Sequence, residues 1–321
     1  MDATKQRIVV GIDGSAEARA ALAWALTEAA RRGADLEVVT AFPVDFYWAD
    51  PSLLDPRWID GIRADTETRA RATVDELRQD PALAGLAGAG DADVQLLVVA
   101  GAAAAHLVQR SEGAALLVVG SRGRGAVRSS VAGSVALHCS AHAHCPVVVV
   151  HPTAPQAGEP ARVVVGLDDS EHARAALLTA VAQAGPLGAR VDAVLAYEVP
   201  DYWDDLYAAM TPPRRQTREH VQERGEGIVR EVLGAEPVVR GTVRVAAMEG
   251  HPAHVLLEEA EGAHLLVVGC RSRNELEGVV LGSVALRCVM HVPCPVMVVH
   301  QPPEGFTGTT PGSLAAAAPA D

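Results

Sequence analysis

The sequence predicts an α/β protein made of two tandem open-sheet domains, each a five-stranded parallel sheet flanked by helices. Three observations predict it. The chain is written twice, so whatever one half forms the other forms again. Within each copy, short β-branched runs alternate with helix-length segments. The runs are also continuously apolar rather than alternating, as strands covered on both faces are.

The repeat is direct. "RIVVGIDGSAEARAAL" at Arg7 returns as "RVVVGLDDSEHARAAL" at Arg162, and "EGAALLVVGSRGRG" at Glu112 returns as "EGAHLLVVGCRSRN" at Glu261. "AGSVALHCSAHAHCPVVVVH" at Ala132 returns as "LGSVALRCVMHVPCPVMVVH" at Leu281. The offset is 155 residues early and 149 late, so the first copy carries about six extra residues in its middle. These landmarks divide the chain into a first domain (1–151), a proline-rich linker (152–160), a second domain (161–301) and a tail (302–321). The tail has no apolar period and is expected to be disordered.

In the first copy, "RIVVGI" reads as strand one. Ser15 caps a helix over Ala16–Arg32, and Gly33 stands just past its end. "LEVVTAF" is strand two, and a helix is expected from about Asp60 to Gln79. "DVQLLVVA" is strand three, "AAAHLVQRSEG" a helix, "ALLVVG" strand four, Ser134–Ala143 a helix, and "PVVVV" strand five. The right-handed crossover rule favours the order 3-2-1-4-5, an open Rossmann-like winding.

Composition excludes several classes. A net charge of −13 argues against nucleic acid or an anionic membrane as partner. Lys5 is the only lysine, which removes the Walker-type P-loop and the kinase strand lysine. No apolar run reaches the roughly 18 residues of a membrane span, and no leader pattern opens the chain, so the expectation is a soluble cytoplasmic protein. Five cysteines fit reduced thiols rather than a disulfide framework.

In such a sheet a ligand lies beyond the carboxyl ends of the strands where the winding reverses, here between strands one and four. Strand one delivers Gly11 and Asp13, and strand four delivers Gly120. Around Gly120, Gly123 and Gly125 the backbone N–H groups can approach phosphate closely. Gly133, Ser134 and Val135 open the next helix, whose unpaired N–H groups favour an anion. Asp13 accepts hydrogen bonds from a ribose or an adenine amino group but repels phosphate. Ser121, Arg122, Arg124 and Ala126 complete the loop. A plain glycine-rich turn is the competing interpretation.

At these residues the chain resembles the universal stress protein family in its tandem form. The pattern G-x2-G-x9-G-[ST] of the family's ATP-binding members falls on Gly120, Gly123, Gly133 and Ser134, with Asp13 as the strand-one aspartate. The resemblance implies ATP or another adenine nucleotide in each domain, with or without Mg²⁺. It also implies a role in stress or dormancy responses, an intramolecular pseudo-dimer paired through the last strands, and homodimerisation of the tandem chains. The second copy keeps Gly166, Asp168, Gly269, Gly282, Ser283 and Val284. It places Cys270, Arg271, Ser272, Arg273 and Asn274 in the loop, with Glu275 and Glu277 adding negative charge, so weaker or altered binding is expected there. Two other interpretations stay open: a nucleotide-free dimerisation and interaction scaffold, and a slow ATPase or autophosphorylating enzyme with Ser129, Ser130 and Ser134 nearest the phosphates.

Three further features carry chemistry-bearing residues. The "HCSAHAHC" stretch (His138, Cys139, His142, His144, Cys145) has metal-ligand residues, but they span a helix end and a strand and recur only in part as Cys288, His291 and Cys294. Cys270 is either a redox-sensitive thiol or a small substitute for Ser121. The aromatic segments "DFYWADPSLLDPRW" and "DYWDDLYAAM" form either a lid or a packing surface. No serine–histidine–acid set or carboxylate pair stands at the crevice, so no catalytic residue and no metal ligand is expected.

Overall fold

A computed structural model describes residues 5–42, 56–84, 93–123, 132–152, 160–199, 213–234, 243–270 and 281–300. The first half runs β1 (Arg7–Ile12), α1 (Ala16–Arg32), β2 (Asp35–Phe42), α2 (Pro56–Arg78), α3 (Pro81–Ala84), β3 (Val94–Ala100), α4 (Ala103–Ser111), β4 (Leu116–Gly120), α5 (Ser134–His142) and β5 (Val147–Val150). The second runs β6 (Arg162–Gly166), α6 (Glu171–Leu187), β7 (Arg190–Tyr197), α7 (Arg214–Leu233), β8 (Val243–Glu249), α8 (Pro252–Glu259), β9 (Leu265–Gly269), α9 (Ser283–His291) and β10 (Val296–Val299).

Local chemistry sets these boundaries. The Ser15 hydroxyl accepts from the Ala18 N–H at 3.1 Å, and Gly33 ends α1 in the left-handed region at φ 59°. Such a cap is worth about 1 kcal/mol. The second copy repeats it with Ser170 and Gly188. Two details differ from the sequence reading. Helix α2 begins at Pro56 rather than near Asp60, since proline suits a first helical turn. The short α3 was not expected.

Each domain's sheet has the order 3-2-1-4-5, and the two join into one ten-stranded sheet, β3-β2-β1-β4-β5-β10-β9-β6-β7-β8. Every pairing is parallel except β5–β10, where Val147, Val148 and Val149 face Val298, Met297 and Val296. The second domain's strands therefore run opposite to the first's, and the two carboxyl-end crevices open at opposite edges of the sheet. This joint is the pseudo-dimer that the resemblance implied.

Alternate strand residues bury on the two faces. Ile8, Val10 and Ile12 point to α1 and α2, while Val9 points to α4 and α5. That double burial is why the strand runs read as continuously apolar. Among the described residues, no helix is long and apolar enough to cross a membrane.

Polar residues hold two places the apolar pattern does not show. Within β2, Glu37 is 4 % exposed and meets Arg7 Nη1 at 2.9 Å and Arg110 Nε at 2.5 Å. Burial favours its neutral form, but the bonds and charge of Arg110 and Arg7 prevail and hold the carboxyl below its ordinary value. At the domain joint, His151 Nε2 donates to the Val289 carbonyl at 3.1 Å, and His300 Nε2 donates to the Ser140 carbonyl at 3.0 Å. Each domain's last histidine thus grips the other domain's last helix. Desolvation pushes the His151 imidazole below its ordinary pKa.

Candidate functional site

Strands β1 and β4 lie side by side, with Ile8, Val9 and Val10 paired to Leu116, Leu117 and Val118. Their carboxyl ends therefore deliver Asp13 and the Gly120 loop to one crevice, as a switch point requires. Asp13 is half-buried and oriented from behind: its Oδ1 accepts from the Ser15 N–H at 2.9 Å. Gly123 lies directly against it. A Cβ at Gly123 would stand 2.5 Å from Asp13 Oδ2, so only glycine lets the loop pass this carboxylate undisturbed.

The loop's two ends are tied together. The Gly133 N–H donates to the Ser121 carbonyl at 2.8 Å, which spends that donor on the fold. Gly133 is then the N-cap of α5, at φ −79° and ψ 150°, with no side chain to cap the helix. The N–H groups of Ser134, Val135 and Ala136 therefore receive nothing from the cap residue, at the positive end of the helix dipole. Ser134 is exposed at that entrance. Arg122 leans back toward the first turn of α1, its Nε 3.9 Å from Glu17 Oε1.

Other motif glycines have a different physical reason. A Cβ on Gly120 would lie 2.8 Å from the Glu17 carbonyl carbon and 2.9 Å from the Ala18 nitrogen, so Gly120 admits the first turn of α1. One on Gly11 would lie 2.8 Å from Leu107 Cδ1 of α4. In the second domain, Gly269 sits likewise against His172 and Gly166 against Leu256.

The rest of the second crevice follows the same plan. Asp168 Oδ1 accepts from the Ser170 N–H at 2.9 Å, and the Gly282 N–H donates to the Cys270 carbonyl at 2.7 Å. Gly282 is again a helix N-cap without a side-chain cap, ahead of Ser283 and Val284. Arg124, Gly125 and Ala126 of the first loop, and Arg271, Ser272, Arg273 and Asn274 of the second, lie outside the described residues. So do Ser129, Ser130, Glu275, Glu277 and the aromatic segments before Pro56 and at 201–210.

Cys270 is 4 % exposed and packs with Ala285 and Cys288 beneath α9, the place Ser121 takes beneath α5. That burial favours the small-residue interpretation over a redox sensor. In the "HCSAHAHC" stretch, His138, His142 and His144 face solvent while Cys139 and Cys145 face the core. Desolvation pushes both thiols up to about 12. The two ligand types point to opposite sides.

Sequence reasoning missed Ser15 as the donor that orients Asp13 and Glu17 as the partner of Arg122. The signal for the first was available, since an aspartate followed two residues later by a helix-capping serine favours such a side-chain turn.

Comparison with known proteins identifies the family and agrees with the fold. The sequence profile described as the universal stress protein family matches residues 5–151 and again 160–300. A universal stress protein of Mycolicibacterium smegmatis is 33 % identical over 306 residues, covering 93 % of this chain and 98 % of that protein. One of Mycobacterium tuberculosis is 30 % identical over 299 residues, covering 92 % and 96 %. Among solved structures, a universal stress protein from Archaeoglobus fulgidus superposes with a TM-score of 0.60 at 20 % identity, over 93 % of this chain and 100 % of that one.

Proposed function

Because the chain belongs to the universal stress protein family, as two copies of its domain fused in tandem, we propose that it is an ATP-binding regulatory protein of the stress or dormancy response, with its working site in the first domain. One observation carries the reading: Gly123 lies against the Asp13 carboxylate, beside a helix start whose N-cap glycine has no side chain to cap it. Asp13 would take hydroxyl or amino donors of the nucleoside. The α5 entrance at Ser134 and Val135, with the Gly120–Ala126 loop, would take the phosphates. Mg²⁺, where present, would offset phosphate charge on the solvent side.

The second domain is proposed as an altered site. Its loop has Ser272 where Gly123 stands, so the second copy lacks the glycine that the first places against its strand-end aspartate. Occupancy of the first site, rather than turnover, is the proposed signal.

The scaffold reading has an observation in its favour, because packing alone accounts for Gly11, Gly120, Gly166 and Gly269. Nucleotide analysis separates the two. Denatured, freshly purified protein should release adenine nucleotide, or ATP with Mg²⁺ should raise the melting temperature. At a hundredfold excess over Kd the stabilisation is about 2.7 kcal/mol, roughly 5–10 °C for a domain of this size. No released nucleotide and no shift would leave the scaffold. Steady phosphate release, lost on removing Asp13, would make it an enzyme.

A further inference from the structure

On the α1 and α6 face of the sheet, where the two domains meet, a cavity of about 760 Å³ opens; Val150 and His151, at the end of β5, also line it, and the Val150 carbonyl accepts from the Ser121 N–H of the first loop at 2.9 Å. Trp24 and Arg31 of α1, Leu187 of α6, and His264, Pro293 and Pro295 from the chain entering β9 and β10 line it. Its volume falls in the roughly 300–1,000 Å³ of small-molecule sites, which favour domain junctions. The walls are mostly apolar, with an indole and prolines offering flat faces.

The polar groups divide into those the fold consumes and those it leaves. Glu28 is buried and satisfied: Arg32 Nε donates to its Oε1 at 2.6 Å. With its amide turned so that nitrogen meets oxygen, Gln183 donates to the same atom at 3.0 Å. Arg31 joins that cluster only through a long ion pair. Its Nη1 stays 3.7 Å from Glu28 Oε2, with the side chain 36 % exposed. His264 Nδ1 accepts from the Arg162 N–H at 3.4 Å, which leaves Nε2 as the ring's donor.

The repeat supplies an independent observation. The pseudo-two-fold at β5–β10 generates an equivalent place on the other side of the joint. There Thr179 stands for Trp24, Pro186 for Arg31 and Ala115 for His264. The fold needs none of the three side chains, since the other copy builds the same helix and strand without them. Aromatic plane, cation and donor are thus gathered on the side of the joint that lines this cavity.

We propose that this junction cavity binds a small planar aromatic anion, with its ring system on Trp24 and its negative end on Arg31 and His264. Trp24 and Arg31 are seven residues apart on α1, about 10 Å along the axis at 1.5 Å per residue. That span fits two fused rings bearing a carboxylate. The site is separate from the nucleotide crevice and does not depend on that reading.

Isothermal titration of the full chain with 2-naphthoate, beside the uncharged 2-naphthylmethanol, tests it. The expected result is one carboxylate per chain, bound about tenfold tighter than the alcohol. Arg31→Gln should remove that preference. Trp24→Thr, which installs the other copy's residue, and Ala23→Phe, which fills the cavity from α1, should each weaken binding at least about tenfold. Saturating ATP should change nothing. Absence of binding to folded protein, indifference to Trp24→Thr and Arg31→Gln, or displacement by ATP would each overturn the proposal.

Discussion

Replacing Gly133 by serine separates the helix start as a ligand site from the helix start as a piece of fold. Gly133 has φ −79° and ψ 150°, a conformation serine adopts freely. A Cβ there would find its nearest atoms at 3.5 Å, the Arg122 Cα and the Ser121 carbonyl oxygen, which is ordinary contact. Serine is also at least as good an N-cap as glycine, by a few tenths of a kcal/mol. Chemical denaturation should therefore show stability unchanged or raised by about 0.5 kcal/mol. The new hydroxyl, however, accepts from the Val135 or Ala136 N–H, a donor that the proposed phosphate site uses. Losing one hydrogen bond to a charged group costs about 1.5–3 kcal/mol, so ATP affinity should fall roughly ten- to a hundredfold. Calorimetric ATP titration and urea unfolding of the same preparation measure both halves. Unchanged ATP affinity in a stable Gly133→Ser protein would refute the placement of phosphate at α5. So would a loss of affinity that merely tracks a loss of stability.

Three further outcomes follow from the buried polar groups. Glu37 has a depressed folded pKa, so its stabilisation is present above the unfolded value of about 4.5 and disappears as pH falls through the folded one. Glu37→Gln should cost about 2–3 kcal/mol near neutrality and flatten the acid limb of stability against pH, read by urea unfolding across pH 3–7. His151 also has a depressed pKa, so stability should start to fall as pH drops below about 6.5 and continue to the folded value. His151→Gln, whose amide can still donate to the Val289 carbonyl, should remove that component. The thiols of Cys139, Cys145, Cys288 and Cys294, pushed up to about 12 by burial, should resist alkylation at pH 8 in the native protein and react once it is unfolded. Rapid native labelling of any of them would contradict the packing.

The strands, the order 3-2-1-4-5 and the caps of α1 were legible in the sequence because each depends on local chemistry or on the chirality of a crossover. Burial on both faces writes itself as an unbroken apolar run, and Ser15 and Gly33 mark helix ends wherever they occur. The meeting of Asp13 with the strand-four loop was legible too, since it follows from topology. What spacing does not carry is the division of labour among glycines. Gly120 and Gly123 read alike, yet one admits the backbone of α1 and the other a carboxylate. Contacts between distant segments were equally hidden: the Arg7–Glu37–Arg110 cluster unites three elements, and His151 finds its carbonyl in the other domain. For Cys270 the sequence offered a redox thiol or a small substitute for Ser121, and its burial in the core beneath α9 favours the second.

The inequality of the two crevices is the central claim, and the stoichiometry of ATP binding measures it most directly. Calorimetric titration of nucleotide-free protein should give one tight site per chain. Gly123→Ser, which gives the first loop the second loop's residue and sets a Cβ against Asp13 Oδ2, should remove that site while the protein stays folded. Two equal sites per chain, or tight binding that survives Gly123→Ser, would contradict the account.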